Sequence, residues 1–175
     1  MTDYLKEERV GDTVMDIDTL VRTRRNIKTF TSEPVSREQL MTWFEAAKMA
    51  PNHKMTEPWE VVFVGPETRA KLNHKADFGG APVVLAVLSK PGSNEKEHFE
   101  NTITTACFIQ NFLLLAYNDG VGARWASLGS QPQNREILEV PTGHEVLGVF
   151  GIGYPREVPE PKLRQPMADK VRNLP

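Results

Sequence analysis

The chain has 175 residues, 39% hydrophobic and 25% charged, an ordinary composition for a soluble globular protein long enough to bury a core. Its formal net charge of −2 gives no global attraction to nucleic acid or to an anionic membrane. A single cysteine, Cys107, excludes an internal disulfide, and its place in an apolar run reads as a buried, inert thiol.

The opening MTDYLKEERVGD is charged and has no apolar signal core, so a cytoplasmic protein is expected, with residues 1–12 disordered or an arm. Apolar Val14, Ile17, Leu20 and Val21 recur at helical spacing and predict a helix from Thr13 to about Arg24. A second helix is announced by Ser36 and Gln39, which make an S-x-x-Q capping box, with Val35 and Leu40 placed for a hydrophobic staple. Leu40, Trp43, Phe44 and Ala47 form its apolar face, and Pro51 closes it.

WEVVFV (59–64) reads as a strand stopped by Gly65-Pro66. The unbroken apolar run from Pro82 to Leu88 predicts a strand buried on both faces. A long central helix is expected from about Glu97 to Asn118, with Gly120 suited to a left-handed C-cap. A short strand at GARWAS, a short helix at NREILEV and a glycine-bearing strand at EVLGVFGIGYP follow. The tail from residue 155 to 175 is rich in proline and predicts an extended arm, which either lies across a partner subunit or stays unstructured. Helices and strands intermingle without a regular βαβ count, so the fold class is α+β in a single domain, 1–175.

Four segments carry polar chemistry, and each has two readings. Arg24, Arg25 and Lys28 either complement the carbonyl end of the first helix or form an anion site, to which Asn26 adds an amide. Asn52, His53 and Lys54 form a solvated polar loop, or they present donors to a flat, heteroatom-rich ring beside the sheet. Trp125 is core, or it walls a pocket with Ser127 close by. Lys162 and Arg164 are solvated cations or the second half of a phosphate clamp.

Other chemistries find no support. Gly148, Gly151 and Gly153 have the wrong spacing for a dinucleotide loop, and no helix follows them. The four histidines are scattered without ligand spacing, so no metal is expected. Neither a G-x-S-x-G elbow nor a Walker A sequence occurs.

Taken in order, RRNIKTF, MAPNHKMTEPWEVVFV, the central helix, VGARWAS, VLGVFGIGYP and PKLRQP resemble the FMN-dependent nitroreductase family, from about Val14 to Val171. The likeness is closest to its short, single-domain bacterial branch. The resemblance implies a central mixed or antiparallel sheet flanked by helices, a long central helix and an extended C-terminal arm. It further implies a homodimer with two FMN sites at the subunit interface.

Residue by residue, it implies that Arg24 and Arg25 hold phosphate and ribityl oxygens, with Asn26 beside them. Lys28 would lie near the ring edge where reduced flavin carries negative charge, a fixed cation favouring reduction. Met49, Asn52 and His53 would reach the flavin of the other subunit. Trp125, Ala126 and Ser127 would lie near the ring, and Lys162 and Arg164 would complete the phosphate clamp. Asn26 replaces the family's usual serine, and Met55 and Glu57 replace polar residues common before Pro58-Trp59. The segment between Gly65 and Gly80 is short, so a large lid domain is not expected.

The activity implied is a ping-pong transfer of hydride from NADH or NADPH, through bound FMN, to a nitroaromatic, quinone or flavin. His53 is the nearby group whose ordinary pKa suits proton delivery. Dehydrogenation, ring fragmentation or dehalogenation on the same fold, an FMN carrier or sensor, and a nucleic-acid binder using RTRRNIK are the competing expectations.

Overall fold

The protein is described here from a computed structural model covering residues 15–174. The expected arm at residues 1–12 and the helix start at Thr13 and Val14 lie outside these residues. Four strands make the sheet: β1 (Trp59–Phe63), β2 (Val83–Ser89), β3 (Gly122–Ala126) and β4 (Glu145–Gly153). Their order is β1-β2-β4-β3, and every neighbouring pair is antiparallel. Five α-helices surround them: α1 (Ile17–Thr23), α2 (Arg37–Ala47), α3 (Pro66–Lys71), α4 (Glu95–Asn118) and α5 (Pro132–Ile137). The α+β class with a long central helix is thus observed.

The alternation of strand side chains divides the core between the two faces of the sheet. Leu85 and Val87 of β2, with Phe150 and Ile152 of β4, pack beneath α2 and α4, meeting Trp43, Phe44, Phe108 and Phe112. Val84, Ala86 and Val149 point the other way, toward Ile27, Phe30, Leu72, Phe78 and Leu138. Both faces of β2 are therefore covered, as its unbroken apolar run requires.

The caps explain where the helices begin and end. Ser36 Oγ accepts the Gln39 N–H at 3.0 Å, which fixes the start of α2, and the staple residues Val35 and Leu40 are both buried. The helix ends at Ala47, short of Pro51, with Lys48 as its C-cap. Asp16 caps α1 at 3.1 Å from the amides of both Asp18 and Thr19. The helix therefore starts at Ile17, later than the periodicity suggested, and Arg24 stands just outside it in an extended conformation. Asn94 caps α4 two residues earlier than expected, and Gly120 (φ 77°) turns the chain after it.

Two elements depart from the sequence reading. Gly65-Pro66 ends the strand but also opens α3, with Pro66 in the first turn, where its missing N–H costs nothing. The tail is extended except for one 3-10 turn at Met167–Lys170. Cys107 is only partly buried and carries no disulfide.

Candidate functional site

The segment after α1 is held in place by β3. Ile27 N–H donates to the Ala123 carbonyl at 2.9 Å, and Asn26 forms a parallel bridge with Ala123. The Asn26 side chain is not a free donor arm, because its Oδ1 accepts the Trp125 N–H at 2.9 Å. That bond ties two segments about one hundred residues apart in sequence and leaves the amide NH₂ for other partners. Tyr117 on α4 donates from its hydroxyl to the Thr23 carbonyl at 2.9 Å, anchoring the end of α1.

From this anchored segment the side chains of Arg24, Arg25, Asn26 and Lys28 line a cleft of about 680 Å³. The opposite wall is the tail, Pro159 to Arg164, which brings Lys162 and Arg164 to the same opening. The tail gets there because Thr31 N–H donates to the Tyr154 carbonyl (2.9 Å) and Arg156 N–H to the Thr29 carbonyl (3.1 Å). Five cations expected from two distant stretches therefore share one cleft, with Glu160 the acid among its lining residues. Arg22 also lines it but is ion-paired to Asp18 at 2.7 Å.

Burial, then the charges of Arg25 and Arg164, push the Arg24 guanidinium below its usual range, with Tyr117 opposing. Among the described residues, Arg24 and Arg25 donate to backbone carbonyls: Arg24 Nη1 to Arg25 O (3.1 Å), and Arg25 Nη1 to Arg22 O and Arg24 O (2.7 and 3.0 Å). Such a cluster is complementary to a bound anion with several oxygens.

A smaller recess of about 190 Å³ continues from Arg24 and Asn26 to Gln110, Leu113, Ala123 and Trp125. Trp125 Nε1 donates to the Leu147 carbonyl at 3.0 Å, yet 41% of the residue stays exposed. Trp125 is thus pinned at one end and open at its face, a wall more than a core residue. The Ala126 methyl packs into the core, so only its backbone is available there, while Ser127 is exposed at the start of a 3-10 turn.

The loop carrying Asn52 and His53 is elsewhere. Thr56 Oγ1 donates to Asn101 Oδ1 at 2.9 Å near the start of α4, whereas the recess touches α4 at Gln110 and Leu113. Asn101 to Gln110 and Leu113 is about 14–18 Å along a helix rising 1.5 Å per residue. Met49, Asn52 and His53 are not among the residues lining the cleft or the recess of their own chain, although Asn111 Nδ2 donates to the Ala47 carbonyl (3.4 Å) two residues before Met49. The loop is also unusual: Lys54, Met55 and Glu57 all have positive φ (53°, 53° and 44°). Asn52 Oδ1 accepts from Glu57 N–H (3.2 Å), and its Nδ2 is buried with no hydrogen-bond partner among the described residues. Met49 and His53 are exposed.

Residues not anticipated from sequence also shape the site. Gln110 and Leu113 line the recess, and Arg124 Nη1 donates to the Lys28 carbonyl at 2.9 Å. No local motif marks any of them, since each acts across the fold.

Comparisons with known proteins agree with this architecture. Residues 21–77 and 68–154 match the model of the Nitroreductase family. Among relatives, Bacillus subtilis YfhC, provisionally named an NAD(P)H nitroreductase, is 31% identical over 89% of this chain and 92% of its own length. A nitroreductase-like family protein from Bacillus cereus superposes with a TM-score of 0.84 at 27% identity, covering 94% of this chain and 98% of that one. The NADPH:FMN oxidoreductase of Vibrio harveyi, solved with NAD+, superposes at 0.80 with 24% identity over 89% of this chain and 76% of that one. With this match spanning all four strands, the central helix and the Arg24–Lys28 wall of the cleft, the chain belongs to the nitroreductase family of oxidoreductases.

Proposed function

We propose that the protein is an FMN-dependent oxidoreductase of the cytoplasm that draws on NADH or NADPH and reduces a small acceptor such as a nitroaromatic, quinone or flavin. The observation that carries the reading is the cleft uniting Arg24, Arg25 and Lys28 with Lys162 and Arg164. A flavin mononucleotide fits the donor set: a dianionic phosphate for the guanidinium cluster and a flat ring for the recess walled by Trp125. When bound, FMN supplies the redox chemistry, accepting hydride from a nicotinamide and passing electrons to the acceptor.

The chain's residues bind, orient and screen. Arg24, Arg25, Lys162 and Arg164 neutralise the phosphate, and the Asn26 NH₂ donates beside them. Lys28 places a fixed positive charge toward the ring, where negative charge develops on reduction. The face of Trp125, the Ala126 backbone and the Ser127 hydroxyl border the ring. Met49, Asn52 and His53 line neither the cleft nor the recess of their own chain, and in this reading they come from a second subunit. His53, exposed on that loop, is the proton donor.

A homodimer also accounts for the tail. Val158, Leu163, Met167, Val171 and Leu174 are exposed, Leu163 at 99%, an apolar set that one chain leaves uncovered. Among the described residues no helix is long and apolar enough to cross a membrane, and no group of three or more His, Cys, Asp or Glu could hold a metal.

The test is a visible spectrum of the purified protein, before and after anaerobic addition of NADPH or NADH, followed by a quinone. Flavin bands that bleach and then return with multiple turnover are the expected result. Bleaching without turnover on nitro compounds or quinones points to dehydrogenation or dehalogenation on the same fold. Bands that persist with both nicotinamides favour a carrier, and no flavin after incubation with FMN refutes the reading.

A further inference from the structure

Behind Lys28, on the side of the sheet away from α4, lies a tight turn at Asp77–Gly80 that no known motif marks. Asp77, Phe78, Gly79 and Gly80 have φ of 39°, 52°, 74° and 73°, four consecutive left-handed residues. Two of them are not glycine, and the bulky side chain of Phe78 disfavours this region. The turn touches the site's backbone directly: Gly79 O accepts the Phe30 N–H at 3.0 Å, and a Cβ built on Gly79 would stand 2.1 Å from the Lys28 carbonyl oxygen. That same oxygen accepts from Arg124. Lys28 is thus seated on a strained turn, which something must hold.

Two side chains hold it. Arg69, on α3, donates to Asp77 Oδ1 (2.6 Å), Asp77 O (2.8 Å) and Ala81 O (2.6 Å). His74 Nδ1 accepts the Phe78 N–H at 2.9 Å, and its ring stacks on the buried Phe78 ring at 4.4 Å and 17°. An imidazole can accept there only while Nδ1 is unprotonated. Its surroundings favour that form: burial first, then the cation Arg124 of β3, with Arg69 of α3 adding to them, while Asp77, the opposing carboxylate, is ion-paired to Arg69.

We infer that His74 is a positioning residue for the cationic cleft, its neutral Nδ1 clamping the left-handed turn on which Lys28 is seated, so that acid loosens the site. The role rests on the flavin reading only in what the cleft binds. Protonation would set an Nδ1–H against the Phe78 N–H, donor against donor, and release the turn beneath Lys28 and Arg124.

The experiment compares wild type, His74→Asn and His74→Leu as full-length protein at about pH 7.5 and about pH 5. The asparagine carbonyl can replace Nδ1 as an acceptor and does not titrate. FMN affinity is read by flavin fluorescence, and protection of the Phe78 amide by hydrogen exchange without flavin, corrected for the intrinsic effect of pH.

On acidification, wild type should lose about tenfold more FMN affinity than His74→Asn. The phosphate's own titration is common to both and cancels. Phe78 protection should fall in acid for wild type, persist in His74→Asn, and be absent at both pH values in His74→Leu. Parallel pH profiles for wild type and His74→Asn would overturn the inference, as would a folded His74→Leu that binds FMN like wild type. If wild type binds no FMN at either pH, the flavin reading and the positioning role both fail, while amide exchange still decides whether the clamp exists.

Discussion

Arg24 carries a crowding penalty in the free protein that a bound anion would relieve. It stays charged far above neutral in the folded and unfolded chain alike, so its crowding penalty is constant across working pH. The penalty appears instead as a dependence on anions. Inorganic phosphate should raise the melting temperature of the apoprotein, and Arg24→Ala should abolish most of that rise while lowering FMN affinity at least about tenfold. Differential scanning calorimetry with and without phosphate checks it. His74 behaves oppositely. Burial, then the charge of Arg124, hold its folded pKa below the ordinary 6.5, with Arg69 adding to the effect and Asp77 opposing it, so the unfolded chain takes up the proton first. Its contribution to stability is whole above pH 6.5 and declines as pH falls through that value toward the folded one. Melting temperatures should therefore drop more steeply on acidification for wild type than for His74→Asn. Gly79→Ala tests the same turn at all pH: with its Cβ 2.1 Å from the Lys28 carbonyl at φ 74°, it should cost more than about 2 kcal/mol in a denaturant melt.

Among the elements, those with local signals were readable. The start of α2 could be placed because Ser36, Gln39, Val35 and Leu40 act within one turn, and Ser36→Ala should cost about 1 kcal/mol in urea unfolding. Strand β2 was readable from its apolar run, since two covered faces demand it. Helix α3 was not, because six residues are too few for a periodic stripe and Gly65-Pro66 signals a stop as readily as a start. The 77–80 turn was illegible for a deeper reason: its conformation is imposed by Arg69 and His74, and Asp-Phe-Gly-Gly does not require it. The cations of the cleft were visible as clusters, but their convergence was not. It depends on the pairing of residues 29–31 with 154–156 and on the Asn26–Trp125 bond, both made only in the folded chain. Phe112, fully buried between α2 and the sheet, sets the element scale of stability, and Phe112→Ala should cost about 3–5 kcal/mol.

For the whole molecule, the proposed homodimer gives the tail, with its exposed apolar residues, a testable role. Removing everything after Tyr154 deletes Lys162, Arg164 and the five exposed apolar residues together. The truncated chain should sediment as a monomer and fail to retain FMN, as analytical ultracentrifugation with absorbance at the flavin band would show. The separation along α4 carries one more consequence, a genetic one. If each site takes its cations from one subunit and its His53 loop from the other, two kinds of damaged gene should rescue each other. On that arrangement an Arg24→Ala chain and an Asn52→Leu chain should each be inactive as homodimers, having two crippled sites apiece. Co-expressed, they form mixed dimers in which both lesions fall on one site and the other is wholly intact.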